Sequence, residues 1–471
     1  MAKVILVNKE HKIRKSYQKQ LELVTITNYL GQAVKLEKET YDAYLKLKEF
    51  LFKKGIAIEI EEGYRSIQQQ QKIWEEFSSK YGEEYAKKIV APPSTSEHHT
   101  GLAIDLVLKK DGKYITENEE LLAQEEIWNR VHSSLKDYGF ILRYPKGKEN
   151  ITAYPYEPWH IRYVGLVPAK IIYGNHLTLE EYQNQFGGVL VVNKEPGMTS
   201  RDVVNEVSRI LGIKKIGHTG TLDPMASGVL VLTIGYATKI GELLTSYEKE
   251  YEAGVEVGYL TDTLDKTGKV IKEKKLEKRI DYPSLLKSYE KTYLQEVPIY
   301  SAVKVKGKKL YEYARNGEGV ILPKKEVTIK STTLLEDKYD FFKFRCFVSK
   351  GTYIRSLIRD MGDSVFEYFT MSSLTRTKQG NFTISMAYSL EDIKKNNFHI
   401  LSVEEALPTI PVIVVADKML KKVANGVRLE NDIPIDDKVI FQDKNHQLLV
   451  IYQKEKNTLK IDKMLYNNLN R

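Results

Sequence analysis

Three of the nine histidines in this chain lie in two short motifs that also contain carboxylates. The first motif, residues 96–105, reads SEHHTGLAID, and the second, residues 157–160, reads EPWH. A catalytic zinc ion is held by three His or carboxylate ligands and keeps one position open for water. A further carboxylate, which does not bind the ion, accepts a proton from that water. The two motifs offer such a set: His98, Asp105 and His160 for the metal, and Glu157 for the proton.

The same residues also have a purely structural interpretation. A single histidine most often belongs to the core, and a Gly-x-Ala-x-Asp segment is often the end of a strand followed by a turn. Residue types and spacing alone therefore leave a metal site and a structural role open. The single cysteine, Cys346, excludes a disulfide within the chain and a zinc site built on several thiolates, which points toward His and Asp as zinc ligands.

A second group of residues that could do chemistry surrounds Asp223. The segment KIGHTGTLDPMASG, residues 215–228, is a glycine-punctuated loop with one carboxylate, and the strand-like VLVLTIG follows it. Asp-Pro is a common turn, so Asp223 could simply cap that turn. The glycines could also surround a phosphate, but the Gly-Lys-Ser/Thr ending of a Walker loop is missing. Spacing alone leaves turn capping, phosphate binding and catalysis open for Asp223.

The elements that carry these motifs divide the chain into three blocks. A polar helical stretch, LTLEEYQNQ, is followed by Gly187-Gly188, and an apolar β-type run then begins at Val189. Two glycines directly before a new strand suit a domain junction. A second break is predicted near residue 400, where SVEEALP gives way to the strand-like PVIVVA. We therefore predict domains at residues 1–186, 188–400 and 401–471, the last built from short strands and one amphipathic helix.

The length and composition agree with several folded domains. At roughly 100–200 residues per domain, a chain of 471 residues should contain about two to four domains. Apolar residues make up 42% and charged residues 29%, as in globular proteins, so most of the chain should be ordered. No stretch reaches the roughly 18–20 apolar residues of a membrane span, and MAKVILVNKEHKIRK lacks the apolar core of a secretory signal. We expect a cytoplasmic protein without a membrane partner.

The positive charge is concentrated beyond residue 185. Residues 1–185 contain 27 basic and 26 acidic residues, a balance of +1. The remainder holds 45 of the 72 basic and 37 of the 63 acidic residues, a balance of +8. Such an excess suits a polyanionic partner. A lysine-rich composition explains it equally well, so charge alone does not decide between the two.

The first block resembles the VanY-type D-Ala-D-Ala carboxypeptidases over nearly all of residues 1–186. The resemblance rests on Ser-x-His-x-x-Gly-x-Ala-x-Asp followed by Glu-Pro-Trp-His, with GYRS at 63–66 and YGFILRYPKGK at 138–148. It implies a small α+β zinc peptidase domain that cleaves a peptidoglycan-type peptide ending in D-Ala. It also implies the roles of the site residues: zinc ligands His98, Asp105 and His160, general base Glu157, and Arg65 as the group that stabilises the oxyanion.

Three points bear on what this resemblance implies: the role of Arg65, the residue type at position 99, and the expected absence of an export signal. Arg65 suits its role because a guanidinium has fixed donors and a permanent charge, although a surface ion pair is the alternative. His99 stands where members of the family often carry Gln; it is an alternative ligand, but we expect it to line the site without binding the metal. The family acts on peptidoglycan stem peptides outside the membrane. For this chain we therefore expect a cytoplasmic wall precursor, a recycled muropeptide or another peptide as substrate.

The second block resembles the bacterial tRNA pseudouridine synthase B family along its whole length. The motifs follow the family's order, beginning with GHTGTLDPMASGVL around Asp223. The later motifs are KEY at 249–251, TDTLD at 261–265, PIYSAVK at 298–304, YEYAR at 311–315, SKGTYIR at 349–355 and LTR at 374–376. The resemblance implies a mixed-sheet pseudouridine synthase fold and an isomerase that converts uridine 55, in the T-loop of tRNA, to pseudouridine.

The implied reaction needs no redox change and no cofactor, because uracil is only detached from its sugar at N1 and rejoined through C5. The resemblance implies that Asp223 is the nucleophile, and both ribose C1′ and base C6 stay open as its target. The uridine must leave the stacked loop, so a base-flipping pocket is expected. Tyr251 matches the family position that stacks on the base, a contact worth on the order of 1–3 kcal/mol.

Four further residues match family positions near the nucleophile. The resemblance implies that Arg355 pairs with the Asp223 carboxylate and that Tyr353 removes the proton from C5. It also implies that Leu374 borders the uracil and that His218 contacts the flipped nucleotide or its neighbour. Each has an ordinary alternative: any one of the 31 tyrosines is more often a core or surface residue, and Arg355 could lie on a solvated helix face.

The tail resembles the small β-rich, PUA-like RNA-binding extension of the same family. Its basic side chains are expected to meet tRNA phosphates, which gives salt-dependent affinity without sequence preference. These side chains are Lys418, Lys421, Lys422, Arg428, Lys444 and Lys454.

The whole sequence therefore predicts an α+β multidomain enzyme, in which a zinc D,D-carboxypeptidase-like domain precedes a tRNA pseudouridine synthase. Two alternatives stay open: a synthase with a non-catalytic N-terminal module, and a metallopeptidase that carries an RNA-binding domain. The expected partners are the T-arm of tRNA and a D-Ala-terminated peptide. Zinc is the expected cofactor of the first domain, and none is expected for the synthase.

Overall fold

The structure is a computed structural model that describes residues 3–431 and 434–465. The chain folds into two compact units. The first comprises Met1–Phe186 with Val207–Lys214 and Lys394–Asn397, and the second comprises Gly187–Glu206, Lys215–Ile393 and Phe398–Arg471. The three domain boundaries proposed above stay predictions. No helix of the described residues is long and apolar enough to cross a membrane.

The first unit contains seven strands and nine helices in its described part before residue 186. The strands are β1 Leu23–Thr27, β2 Ala33–Glu37, β3 Ala57–Glu62, β4 Ala103–Lys110, β5 Lys113–Ile115, β6 Phe140–Leu142 and β7 His160–Tyr163. The helices are α1 Lys15–Gln18, α2 Lys38–Lys53, α3 Ile67–Tyr81, α4 Glu83–Ile89, α5 Asn118–Leu122, α6 Glu125–Leu135, α7 Glu149–Thr152, α8 Leu166–Gly174 and α9 Leu179–Asn184. An antiparallel sheet has the order β3-β4-β7-β6, with β5 paired to β4, and β1 and β2 form a separate hairpin.

Helix α2 shows how the core of this unit is built. The Glu37 side chain caps its N-terminus by accepting two backbone N–H groups of the first turn. Tyr44, Leu47 and Leu51 recur at helical spacing and are buried in the core cluster that includes the apolar residues of β3 and β4. The helix therefore covers one face of the sheet that carries the first site.

Strand β4 is the central element of that site. It pairs antiparallel with β3 on one side and with β7 on the other. In the register with β7, Asp105 lies directly opposite His160. Side chains opposite each other on neighbouring strands lie close together, so this register joins the two sequence motifs.

The second unit contains the remaining strands and most of the remaining helices. Its strands before the tail are β8 Gly187–Lys194, β9 Ile216–His218, β10 Ser227–Gly235, β11 Lys249–Val257, β12 Tyr259–Thr261, β13 Val270–Glu273, β14 Thr292–Glu296, β15 Lys304–Val305, β16 Lys308–Lys309, β17 Lys324–Asp337, β18 Phe341–Val348, β19 Phe369–Gln379 and β20 Phe382–Thr383. The helices that follow α9 are α10 Ser200–Leu211, α11 Gly241–Thr245, α12 Tyr282–Ser288, α13 Leu310–Asn316, α14 Ile354–Ser364, α15 Leu390–Lys394, α16 Val403–Ala406 and α17 Asp417–Ala424.

The main sheet of this unit is mixed. Its order is β14-β17-β18-β11-β19-β10-β8, with β9 paired to β10 and β20 paired to β19. Only β10 and β19 run parallel among the described pairs of this sheet, and they join Ser227 and Gly228 to Thr375 and Arg376. Gly228 has φ +97°, and a Cβ there would lie 2.2 Å from the Arg376 carbonyl oxygen. A glycine is therefore required where the Asp223 loop enters β10.

The tail forms a small sheet with its own core. Its strands are β21 Val412–Val414, β22 Leu429–Glu430, β23 Lys438–Gln442, β24 Leu448–Glu455 and β25 Thr458–Met464, in the order β21-β23-β24-β25-β22. Helix α17 contributes Val423 to the buried cluster of this sheet. The predicted fold class is confirmed, because the chain is an α+β multidomain protein with a mixed sheet and a β-rich tail.

Candidate active sites

Three side chains of the first unit converge as a metal-ligand set. His98 Nε2 lies 3.1 Å from Asp105 Oδ2, and His160 Nδ1 lies 2.9 Å from Asp105 Oδ1. One ligand atom from each residue lies within 4.8 Å of the others. Within residues 3–431 and 434–465, this is the one group of three or more His, Cys, Asp or Glu residues with that geometry.

A hydrogen bond to the backbone orients the first ligand. His98 belongs to a short 3-10 helix, Glu97–Thr100, and its Nδ1 donates to the Gly63 carbonyl at 2.7 Å. Its Nε2 is then an acceptor, as metal binding requires. Asp105 Oδ1 is buried and lies 2.9 Å from His160 Nδ1. His98 Nε2 and Asp105 Oδ2 are two acceptor atoms held 3.1 Å apart, an arrangement that fits a cation bound by both, so the residues suit a zinc ion.

The carboxyl groups of Asp105 and Glu157 have opposite pKa shifts. Burial favours the neutral form of Asp105, but the His98 and His160 side chains beside its two oxygens outweigh burial and hold the Asp105 pKa well below its usual range. For Glu157, burial and then the Asp105 charge raise the pKa to about 8. Glu157 Oε2 lies 3.8 Å from His160 Nδ1. A carboxyl group that can take up a proton near neutral pH suits the activation of water.

The predicted residues of this site line one cavity of about 260 Å³. They are Arg65, His98, Asp105, Glu157 and His160. The Arg65 guanidinium donates to Glu62 and, at 2.7 Å, to Gln70 Oε1. The side chain of Arg65 therefore has an ion-pair partner, as its structural interpretation expects, and also borders the metal-ligand set.

His99 is not part of the metal-ligand set. Its Nδ1 lies 2.6 Å from the Arg65 carbonyl oxygen, and its Nε2 accepts the N–H of Ser94 at 3.2 Å. We expected His99 to line the site, but it is not among the residues that line the cavity. The reason is that backbone groups engage both of its ring nitrogens.

A buried network of opposite charges beside the metal ligands was not predicted. Glu97, the neighbour of His98, contacts Arg143 at 3.1 Å and Arg162 at 2.5 Å, and Arg143 donates to Glu180 at 2.6 and 3.0 Å. Burial alone would raise the pKa of Glu97, but the charges of Arg162 and Arg143 lower it. Glu97 and Arg143 stand in the motifs quoted above, but their pairing requires the tertiary structure.

In the second unit, Asp223 and Arg355 form a bidentate ion pair. Arg355 donates from Nε to Asp223 Oδ2 at 2.8 Å and from a terminal nitrogen to Oδ1 at 3.1 Å. It also donates to the carbonyls of Thr263 and Tyr300, each at 3.0 Å. The Arg355 side chain is 5% exposed, so the solvated-face alternative does not apply, whereas 32% of the Asp223 side chain is exposed. The guanidinium thus fixes a carboxylate that a substrate can still reach.

A cavity of about 740 Å³ lies over this pair. Tyr251, Tyr353 and Leu374 line it together with Asp223 and Arg355. Burial raises the pKa of Tyr353. Five of the six residues predicted for the synthase site therefore border one space.

His218 is the sixth predicted residue and is not among the residues that line this cavity. It lies on β9, opposite Leu232 of β10, and the next residue, Thr219, does line the cavity. Burial lowers the pKa of His218. Its position is therefore next to the cavity wall.

Two buried cations of this cavity were not predicted. Lys249 donates to the carbonyls of Thr245 and Tyr247 at 2.7 and 2.6 Å, and burial and then the charge of Arg376 lower its pKa to about 8. Arg376 donates to the carbonyls of Val229 and Gly220. Both residues stand in motifs quoted above, but the sequence does not show that their side chains are buried together.

Some basic residues of the tail contact neighbouring groups of the protein, and others are exposed. Arg428 pairs with Glu455 at 2.8 Å, and Lys454 donates to the Ile435 carbonyl at 2.8 Å. Lys444 lies 3.6 Å from Asp417. Three lysines on α17 are exposed: Lys418, Lys421 and Lys422. The helix is therefore the part of the tail that best suits contact with a polyanion.

Comparison with known proteins finds matches for both parts of the chain. Residues 208–354 match the model of the TruB family pseudouridylate synthase (N terminal domain), and residues 33–166 match that of D-alanyl-D-alanine carboxypeptidase. The tRNA pseudouridine synthase B of Bacillus cytotoxicus is 40% identical over 300 residues, which cover 60% of this chain and 98% of that protein. The tRNA pseudouridine synthase B of Bacillus pumilus is 42% identical over 256 residues, which cover 51% of this chain and 83% of that protein.

Two solved peptidase structures are similar to the N-terminal part. The vancomycin resistance D,D-pentapeptidase VanY in complex with Zn(II) is 31% identical and covers 39% of this chain and 99% of its own, with a TM-score of 0.33. The LdcB LD-carboxypeptidase is 37% identical and covers 38% of this chain and 83% of its own, with a TM-score of 0.34.

Proposed function

Because the chain belongs to the tRNA pseudouridine synthase B family, we propose that its second unit isomerises uridine 55 of the tRNA T-loop with Asp223 as the nucleophile. The observation that carries this proposal is the Asp223–Arg355 pair, in which two charged hydrogen bonds fix a reachable carboxylate in a cavity of about 740 Å³. A carboxylate held in this way needs no reorganisation before it attacks.

The reaction breaks the N1–C1′ bond and forms a C5–C1′ bond, so electrons are neither gained nor lost overall. Asp223 adds to C1′ or to C6 and leaves again when the new bond is complete. The hydrogen on C5 departs as a proton, and Tyr353 is the group placed to accept it. Because burial raises the pKa of Tyr353, its phenol already holds a proton. It can accept the C5 proton only as its own proton leaves, and the proton balance closes at N1 of the uracil, which carries a hydrogen in the product.

The walls of the cavity suit a base that has left its stack. Tyr251 offers an aromatic face, and Leu374 offers an apolar contact for the uracil. His218, beside the lining residue Thr219, is placed to contact the nucleotide next to the flipped one. The exposed lysines of α17 would meet tRNA phosphates and add affinity without sequence preference. None of these contacts calls for a cofactor.

The test is to map pseudouridine in tRNA from a host that lacks its own T-loop synthase and expresses the full chain. Wild type should restore the modification at position 55, and Asp223→Asn should not, because the amide is a far weaker nucleophile than the carboxylate. The matched control is Glu157→Gln, which changes the peptidase site and should leave tRNA modification as in wild type. Equal modification by Asp223→Asn would exclude Asp223 as the nucleophile.

We further propose that the first unit is a zinc-dependent carboxypeptidase for peptides ending in D-Ala-D-Ala. The observation that carries this proposal is the convergence of His98, Asp105 and His160, in which the acceptor His98 Nε2 lies 3.1 Å from a carboxylate oxygen of Asp105. Zinc bound by these residues would supply a Lewis acid for the scissile carbonyl and a water of lowered pKa. Glu157 would take a proton from the attacking water and deliver it to the leaving amine, and Arg65 would donate to the developing oxyanion.

The peptidase proposal is tested by D-Ala release from a short peptide that ends in D-Ala-D-Ala. The zinc-loaded full chain should release D-Ala, and Glu157→Gln should reduce kcat by about 100-fold or more, since general acid–base catalysis contributes roughly that much. Asp223→Asn is the matched control and should cleave as wild type does. If wild type binds no stoichiometric zinc and releases no D-Ala, the first unit is a non-catalytic module.

A further inference from the structure

His99 links the backbone of Arg65 to the metal motif. The Arg65 carbonyl accepts a hydrogen bond from His99 Nδ1 at 2.6 Å, and the Arg65 N–H donates to the His98 carbonyl at 3.2 Å. Both polar groups of the Arg65 backbone are therefore bound by two consecutive histidines. His99 is fully buried, and the Arg65 backbone that it contacts is half-buried.

The second ring nitrogen of His99 holds the loop on the other side of Arg65. Nε2 accepts the N–H of Ser94, whose φ of +73° is uncommon for a residue with a side chain. The same loop supplies the Ala91 carbonyl, which accepts from Gln70 Nε2 at 2.7 Å, and Gln70 Oε1 accepts from Arg65. The contacts form a closed circuit: from the Arg65 guanidinium through Gln70, the loop and His99 back to the Arg65 carbonyl.

We infer that His99 is a positioning residue that sets the place of Arg65, so that the guanidinium meets the oxyanion of the peptidase reaction. This inference rests on the proposed peptidase function. It also gives a reason for the residue type at position 99. The circuit needs one donor for a carbonyl and one acceptor for an N–H, and a neutral imidazole supplies both.

A glutamine side chain also has one donor group and one acceptor group, whereas an apolar side chain of similar size has neither. An apolar replacement would leave the half-buried Arg65 carbonyl and Ser94 N–H without their side-chain partner. The loop and Arg65 would then move. A misplacement of about 1 Å can cost on the order of 100-fold in rate.

The experiment compares His99→Leu, His99→Gln, Arg65→Met and the double variant His99→Leu/Arg65→Met in the zinc-loaded full chain. The readouts are kcat and KM for D-Ala release, zinc content, and pseudouridine formation by the same preparations. We expect His99→Leu to lower kcat by about 10- to 100-fold, with KM changed less than kcat and zinc content unchanged. His99→Gln should recover kcat to within about threefold of wild type, because its donor and acceptor remake the circuit.

The double variant separates a positioning role from a merely structural one. If His99 acts through Arg65, His99→Leu should have little further effect on kcat once Arg65 is replaced. Additive losses, a loss of zinc in His99→Leu, or a His99→Leu enzyme as fast as wild type would each overturn the inference. If wild type itself releases no D-Ala, the proposed peptidase function fails and this inference fails with it. Pseudouridine formation is expected to be unchanged throughout, and its loss in a preparation shows that the whole chain is damaged.

Discussion

At the scale of single residues, the charge pair of the synthase site is the contact most sensitive to geometry. Arg355 donates to both oxygens of Asp223 and to two backbone carbonyls. A lysine at this position would keep the positive charge but lose the fixed, forked arrangement of guanidinium N–H donors. It therefore cannot hold both carboxylate oxygens and both carbonyls at once. We predict that Arg355→Lys lowers kcat by about 100-fold while binding of tRNA changes only a few-fold.

Release of tritium from tRNA labelled at uridine C5, under single-turnover conditions, measures this effect. Arg359→Lys is the matched control, because Arg359 lies on the same helix and pairs with Glu296 and Asp360 but is not among the residues that line the Asp223 cavity. If Arg355→Lys and Arg359→Lys release tritium at the same rate, the fork geometry has no role in the reaction.

A second residue-scale prediction concerns the pH dependence of stability in the first unit. His132 Nε2 donates to the Pro158 carbonyl at 2.8 Å, within the EPWH motif, and burial lowers its pKa from 6.5 to about 4. Between these pH values the unfolded chain binds a proton that the folded chain does not, so stability is lost as the pH falls from about 6.5 to about 4. The full loss is on the order of 3 kcal/mol.

Tryptophan fluorescence during urea unfolding measures this loss, because all three tryptophans of the chain, Trp74, Trp128 and Trp159, belong to the first unit. The urea concentration at the unfolding midpoint of wild type should be lower at pH 5 than at pH 7. In His132→Gln, which keeps a donor for the Pro158 carbonyl but does not titrate, the midpoint should fall less. Parallel curves for the two proteins would mean that His132 does not cause the pH dependence.

At the scale of elements, strand β14 holds the segment that leads into α14. The Gln295 side chain accepts the Tyr353 N–H at 2.8 Å and donates to the Tyr353 carbonyl at 3.1 Å, and it is 1% exposed. We predict that Gln295→Leu lowers the rate of pseudouridine formation by at least about tenfold. The half-buried N–H and carbonyl of the proposed proton acceptor, Tyr353, lose their side-chain partner, at a cost of up to about 1–3 kcal/mol each.

Thr292→Val provides the control on the same strand, since Thr292 is exposed and its hydroxyl contacts Thr328. The measurement is again tritium release from C5, followed at several pH values because Tyr353 is the proposed proton acceptor. The prediction is wrong if Gln295→Leu keeps the rate of the Thr292→Val enzyme.

The sequence could predict those parts of the sites that lie within short motifs. Asp223, Tyr251 and Arg355 were predicted from family resemblance, and in the structure they border one cavity. The metal ligands predicted in the same way form one cluster. It could not predict the Gln295–Tyr353 contact, because Gln295 gains its partner only when β14 packs beside α14. Pairing between distant segments is decided by tertiary packing, which local propensity and spacing do not encode.

His99 shows the same limit within a motif. Its position in the motif, where members of the resembling family often carry Gln, suggested a residue that lines the site. The structure instead places both ring nitrogens on backbone groups, one of them in the segment around Arg65. A histidine next to a ligand can serve either purpose, and only the positions of the Arg65 carbonyl and the Ser94 N–H distinguish them.

At the scale of the whole molecule, the uneven charge predicts different responses of the two activities to salt. Residues beyond 185 carry a balance of +8 and residues 1–185 a balance of +1. Binding of a polyanion releases counterions, so its affinity falls steeply as salt increases. We predict that raising salt from about 50 to about 200 mM raises KM for tRNA by at least tenfold, while KM for a short peptide changes less than threefold.

Steady-state kinetics of both reactions on one preparation measure this difference. A triple variant, Lys418→Gln with Lys421→Gln and Lys422→Gln, removes the exposed charges of α17. It should make the dependence on salt shallower for tRNA and leave it unchanged for the peptide. An equal dependence on salt for both substrates would contradict the assignment of the polyanion to the second unit.

Removal of the metal should separate the two activities completely. The ligand set His98, Asp105 and His160 belongs to the first unit, and no group of that geometry occurs in the second unit among the residues the structure describes. The pair that carries the synthase proposal, Asp223 and Arg355, consists of a carboxylate and its counter-charge and leaves no oxygen without a partner.

We therefore predict that a chelator abolishes D-Ala release and that pseudouridine formation continues at the rate of the untreated enzyme. Added zinc should restore D-Ala release in wild type but not in His160→Ala, which has lost a ligand. If the chelator slowed both reactions equally and zinc restored both, the synthase would depend on the metal of the first unit, and the view of two independent chemistries on one chain would be wrong.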